Sequence, residues 1–138
     1  MKVTILLADA AEAVNGKLYV LGGGWSIIGP EPAPMAIALK IEVPWDRGNE
    51  VHSLQLRLVD ADGEPVLADG PEGEQPIVVD AEFETGRPAG LRPGTPLDFA
   101  MAVSFPPLPL TPGERYEWRL AIDGEEAPDW RVAFSTRP

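Results

Sequence analysis

The chain contains no cysteine, which excludes disulfide bridges and thiolate metal sites. It has a single histidine, His52, so histidine pairs are closed off and zinc sites and catalytic triads nearly so. Positive charge is scarce. Lys and Arg number 11 against 22 Asp and Glu, for a net charge of −11 at pH 7. A field of that sign repels phosphate backbones and anionic membranes, so neither nucleic acid nor a membrane surface is expected as a partner. No apolar run approaches the roughly 18 residues of a membrane span, and no stretch shows the ~3.6-residue period of an amphipathic helix. The lack of thiols fits a reducing compartment, and a cytoplasmic location is the expectation.

The start of the chain mimics a signal peptide, with Lys2, an apolar run and the small-residue pattern Ala8-Asp9-Ala10. Its apolar core at residues 3–8 is only six residues long, below the about 7–15 of a secretory signal. A buried first strand is the expectation, with the mature chain starting at or near Met1.

What the sequence does have is punctuation. Its 16 prolines and 14 glycines fall between apolar runs and form no low-complexity block, as turn residues do. The strongest such signal is Asn15-Gly16, because a type I′ hairpin turn needs positive φ at both central residues. A two-residue loop there pairs Val14 with Lys17, Glu12 with Tyr19, Ala10 with Leu21 and Asp9 with Gly22, setting a small first arm against a bulky second one. A short helix over residues 9–14, with Asp9 as N-cap and Glu12 in the capping-box position, competes with this reading. The hairpin is preferred, because six residues make a marginal helix.

Alternating patterns then recur along the chain. Val3, Ile5 and Leu7 define one face of a first strand, which Asp9 continues. Ile37, Leu39, Ile41 and Val43 oppose Lys40 and Glu42; Leu54, Leu56 and Leu58 oppose Gln55 and Arg57. Ile77, Val79, Ala81 and Phe83 oppose Asp80, Glu82 and Glu84, and Leu97 through Phe105 carry the longest such face. Tyr116, Trp118, Leu120 and Ile122, then Trp130, Val132 and Phe134, complete the set. Residues 64–68 read as a short return strand after a turn at residues 60–63, and residues 69–76 as a loop. Residues 86–96 read as a crossing from one sheet to another. The pattern predicts one all-β domain over residues 1–138, an antiparallel β-sandwich of eight or nine strands, Ig-like or C2-like.

Three groups of turns and strand ends carry a resemblance. They are Gly16-Lys17-Leu18 with Leu21-Gly22, the strand from His52 to Asp60 ending in Asp62-Gly63, and Pro112-Gly113-Glu114-Arg115-Tyr116 leading to Asp123-Gly124. Their order resembles a group of small single-domain bacterial proteins of unknown function. The resemblance implies a bacterial, cytoplasmic β-domain and carries over no catalytic residue.

Each candidate chemistry meets a plainer reading. His52 and Ser53 are adjacent in a strand and point to opposite faces, so they cannot pair as base and nucleophile. Gly22-Gly23-Gly24 lacks the Lys and Ser/Thr of a phosphate loop and suits a strand end. Asp60, Asp62 and Glu64, with Asp69, Glu72 and Glu74, could converge as calcium ligands at one end of a C2-like sandwich. They read equally as solvated turns. Trp118 and Trp130 fall in phase with apolar faces; Trp25 and Trp45 lie near loops and are the candidates for an exposed contact. The leading expectation is a non-enzymatic interaction or accessory module without cofactor. It would act through loops or a sheet edge on a protein partner or a second copy of itself. A calcium- or small-ligand-binding domain is the alternative, and a small hydrolase with paired carboxylates the third.

Overall fold

The computed structural model describes residues 1–138. There are eleven strands: β1 (Lys2–Val14), β2 (Lys17–Gly23), β3 (Ile27–Ile28), β4 (Met35–Val43), β5 (Val51–Asp60) and β6 (Leu67–Gly70). The remainder are β7 (Gly73–Pro76), β8 (Val78–Glu84), β9 (Leu97–Phe105), β10 (Arg115–Ile122) and β11 (Glu125–Thr136). A single 3-10 turn at Trp45–Arg47 is the only helical element. Asn15 and Gly16 take φ of 52° and 73°, closing the β1–β2 hairpin in the expected register, with Val14 opposite Lys17 and Glu12 opposite Tyr19. Residues 9–14 are strand, so the competing helix does not form. Asp123 and Gly124 repeat the device at φ of 52° and 80° and join β10 to β11.

The strands form a first sheet in the order β2-β1-β4-β9, a second in the order β3-β11-β10-β5-β8, and a separate β6-β7 ribbon. All pairings are antiparallel except the short one between β3 and β11. The proline-bearing stretches explain the topology. Residues 29–34, 44–50, 86–96 and 106–113 each leave one sheet and enter the other. Proline cannot donate to a ladder, so pairing stops there and the chain is free to change layer. The strand count exceeds eight or nine because residues 69–76 belong to the β6–β7 ribbon and are not an open loop. That ribbon is almost wholly exposed, so backbone pairing holds it and no hydrophobic alternation betrays it. The expected return strand at residues 64–68 is divided: Pro65 forms a bridge to Val59, and Leu67 and Ala68 open β6.

Between the sheets lies one core. Leu7, Ile37, Leu39 and Ile41 enter from the first sheet; Leu54, Leu56, Leu58, Trp118 and Leu120 enter from the second. Aromatic pairs span the layers, with Phe105 stacked on Trp118 at 4.8 Å and Phe99 on Phe83 at 4.6 Å. Such inner-face interdigitation defines a sandwich.

The other face of the first sheet is covered too. Ala36 and Ala38 alternate with Ile37 and Leu39 and so point away from the core, yet both are buried. They contact Ala11, with Leu18 and Ala102 packed alongside. Beyond Ala8, then, the β1–β2 hairpin turns back across the outside of its own sheet. Alanines on both layers permit the close approach. Ala38→Leu inserts three heavy atoms into this seam and is expected to cost about 1–3 kcal/mol, read as a lower urea midpoint. A midpoint equal to wild type would mean that the hairpin is not seated there.

Candidate functional site

The acidic turns stay apart. Asp60 Oδ1 accepts the amides of Asp62 at 2.9 Å and Glu64 at 3.0 Å, so this carboxylate organises its own turn. Asp69 faces Glu74 across the β6–β7 ribbon, and Glu72 lies in the turn that joins the two strands. No group of three His, Asp or Glu is placed to hold a metal ion. Thermal unfolding is expected to give the same Tm in calcium, magnesium and EDTA. A ligand at ~100 times its Kd would add about 2.7 kcal/mol and move Tm by several degrees, so a calcium-specific rise would restore the metal reading.

The two loop tryptophans separate. Trp25 meets Phe134 edge-on at 6.0 Å, packs against the core, and buries its indole N–H without a hydrogen-bond partner. It is half-buried at the end of the sandwich. Trp45 sits in the 3-10 turn after β4 and is half-buried. It walls an open cleft of about 770 Å³ together with Pro44 and Pro96. Asp9, on the other hand, is exposed and lies over Gly22, where any Cβ would collide with its carboxylate.

His52 is buried at 1% exposure. Its Nδ1 lies 2.8 Å from Asp123 Oδ2 and its Nε2 lies 3.1 Å from the Arg47 carbonyl oxygen. Both partners are acceptors, so a ring carrying a proton on each nitrogen donates to both at once. Asp123 Oδ1 accepts the Ser53 amide at 3.0 Å, and Arg47 reaches Asp123 Oδ2 at 3.1 Å. The network fastens the β10–β11 turn and the Trp45–Arg47 turn to the start of β5. Nothing in the sequence ties Asp123 to His52 beyond each having a turn or strand end to itself. Their meeting is a product of strand order.

Hydrogen bonding from His52 is the main reason that the Asp123 carboxyl titrates below the ordinary aspartate range. Burial opposes this, while the Ser53 amide and the charges of His52 and Arg47 assist it. A carboxyl with a lower folded than unfolded pKa adds stability above its unfolded value of about 3.9 and loses it as pH falls through the folded value. Asp123→Asn keeps a residue that tolerates positive φ and removes the charge together with one of the two acceptor oxygens. It is expected to cost roughly 1.5–3 kcal/mol at neutral pH, as a hydrogen bond to a charged group does. The gap from wild type should close as both are titrated below about pH 4. A gap independent of pH would show that the carboxylate's charge is not what matters.

Exposed apolar side chains gather elsewhere, on the hairpin. Tyr19 is 54% and Leu21 71% exposed, and Leu6, Val14 and Val20 are exposed with them. They flank β2, the outer strand of the first sheet, whose far side pairs with no strand. Sequence reasoning gave β2 its bulk and its register. It missed that the bulk faces solvent, because alternation says which residues share a face and not which face is covered.

Against known proteins, a family model described as a family of unknown function (DUF6941) matches residues 3–134. The chain belongs to this family. The match to DUF6941 reaches into all eleven strands, so the family extends over both sheets, the hairpin and the His52 network alike. The resemblance to a small single-domain group of unknown function therefore holds. No curated protein and no solved structure matches the chain.

Proposed function

We propose that this chain is a non-enzymatic interaction module that takes an extended strand of a protein partner onto the free edge of β2. The observation that carries the reading is how the sheet edges differ: β9, the first sheet's other edge, has Asp98 as its one charge but keeps its apolar side chains half-buried against the core, whereas β2 exposes them. At the other sheet, β8 presents Asp80, Glu82 and Glu84, and β3 is two residues long; charge and brevity are the usual ways of blunting an edge. On β2 the sequence Leu18-Tyr19-Val20-Leu21 has one charged neighbour, Lys17. An unpaired backbone row flanked by apolar side chains gives a strand both ladder hydrogen bonds and pockets for alternate residues. The sealed state of the His52 network, whose polar groups are spent on one another, supports a structural role for the only histidine. No helix is long and apolar enough to cross a membrane. The reading takes a bacterial cytoplasm as its setting, on the turn motifs and the lack of thiols.

The test compares proteins captured by wild type, by Val20→Pro and by Glu82→Pro, the last as a break in the opposite edge. Binding through β2 predicts partners lost with Val20→Pro and kept with Glu82→Pro, with a fall of about tenfold or more in recovered partner, equivalent to ~1.4 kcal/mol. Partners retained equally by both variants, or none that differ from a blank, would overturn it. If the only partner recovered is the chain itself, the edge serves self-association.

A further inference from the structure

We propose that the cleft beside Trp45 is a second binding site, independent of the β2 edge, and that it takes an arginine-bearing peptide segment. The cleft lies at the beginning of β1, where Lys2 is on its rim, and so at the far end of that strand from the Asn15-Gly16 turn. Its volume of about 770 Å³ is within the range of roughly 300–1,000 Å³ that ligand sites occupy.

Three observations fix the class of occupant. The walls are flat and stiff: an indole held in a 3-10 turn, with Pro44 and Pro96 beside it. The rim carries Glu42, Asp46 and Asp129 against Lys2 and the terminal amine of Met1. Lys2 lies 3.7 Å from Glu42 and answers that charge, whereas Asp46 and Asp129 take part in no ion pair. Lastly, the protein already places a guanidinium on this indole. Arg87 Cζ stands 5.4 Å from the Trp45 ring centroid, and Arg87 Nε donates to the Trp45 carbonyl oxygen at 2.9 Å. Arg87 is not part of the cleft wall, so it leaves the side of Trp45 that lines the cleft unoccupied.

A planar cation that stacks on an indole and offers paired donors to carboxylates satisfies walls and rim together. Arginine does both. Lysine, a point charge with a strong hydration shell, uses the carboxylates but gains less from the ring. The apolar walls favour a cation carried on a chain over a free one. The turn that bears Trp45 is itself anchored, through Arg47, to Asp123 and His52, so the site is formed before any ligand arrives.

The probe is a capped Gly-Arg-Gly-Arg-Gly peptide, with its lysine and glutamate counterparts and with spermidine as the free cation. The readout is the Trp45 indole N–H resonance, assigned with Trp45→Phe. The arginine peptide is expected to shift that resonance saturably, several-fold more tightly than the lysine peptide, while the glutamate peptide leaves it unmoved. Asp46→Asn with Asp129→Asn should weaken binding by about tenfold. Neutralising Asp80, Glu82 and Glu84 on β8, which removes one more charge, should change it by less than about twofold, because distant exposed charges are screened. Both variants alter exposed polar groups and spare the core, so folding does not confound the comparison. Equal losses in the two variants would reduce the effect to the general acidic field and overturn the proposal. So would spermidine binding as tightly as the arginine peptide, or a Trp45 resonance unmoved by it. Val20→Pro should bind the peptide as wild type does, which separates this site from the β2 edge.

Discussion

The fold depends on β4 being buried on both faces. Seven of its nine residues are buried, and the two faces are filled by opposite means. Toward the sandwich it presents Met35, Ile37, Leu39, Ile41 and Val43, whose volume fills the space between the layers. Toward the outside it presents Ala36 and Ala38, whose smallness lets another layer of backbone come close. A sheet with one wet face needs only the first of these. Here the second makes the β1–β2 hairpin part of the folded body, and it decides which residues the hairpin shows to solvent. Once Ala11 and Leu18 turn toward the sheet, Tyr19 and Leu21 on the alternate face must turn outward. The exposed apolar surface of this protein is thus a consequence of its inner alanines.

The two layers are also tied at their ends. Four crossings, each with at least one proline, carry the chain between sheets, and such loops need fixing wherever they hold a side chain in place. At one end that task falls to His52 and Asp123, on β5 and the β10–β11 turn, which together hold the turn bearing Trp45. At the other, Trp25 fills the end against Phe134, and Tyr116 Oη accepts the amide of Thr111 at 2.8 Å, fastening the last crossing. The only buried imidazole of the chain thus serves as a fastener for loops, each of its nitrogens meeting an acceptor.

Much of this was legible in the residues. The alternation from Ile37 to Val43 and from Leu97 to Phe105 placed the inner faces, Asn15-Gly16 set the register of the first hairpin, and the prolines marked the changes of layer. These are local signals, written in adjacent residues. What was not legible depends on which elements meet. Ala36 and Ala38 share their face with Lys40 and Glu42, and the burial of so small a side chain leaves little mark in a hydrophobic pattern. Trp25 and Trp45 look alike beside their loops, yet one packs edge-on against Phe134 and the other walls a cleft. Asp60 and Asp123 both stand at glycine-bearing turns. The difference is that Asp60 spends its carboxylate on amides two and four residues ahead, while Asp123 spends its own on a histidine 71 residues away in the chain.

Charge is distributed in keeping with this division. Arg57, Arg119 and Arg131 lie side by side across β5, β10 and β11, an arrangement that costs free energy unless acids are interleaved. Glu117 bonds Arg119 at 2.7 Å and approaches Arg131 at 3.8 Å, and Glu126 bonds Arg57 at 2.8 Å. The Arg57 bond is also the chief reason that the Glu126 carboxyl is held below its ordinary range. The outer face of the second sheet is therefore a ladder of satisfied ions, costly to desolvate and poor as a docking surface. The first sheet has no such ladder on its hairpin. A chain with a net charge of −11 has ample acid with which to guard every edge, and it guards β8 with three carboxylates. On the first sheet β9 has Asp98 alone, but its apolar side chains are half-buried against the core; β2 has Lys17 alone and turns Tyr19 and Leu21 to solvent, an exposure that a purely structural account of the sandwich does not require, and that a partner strand would.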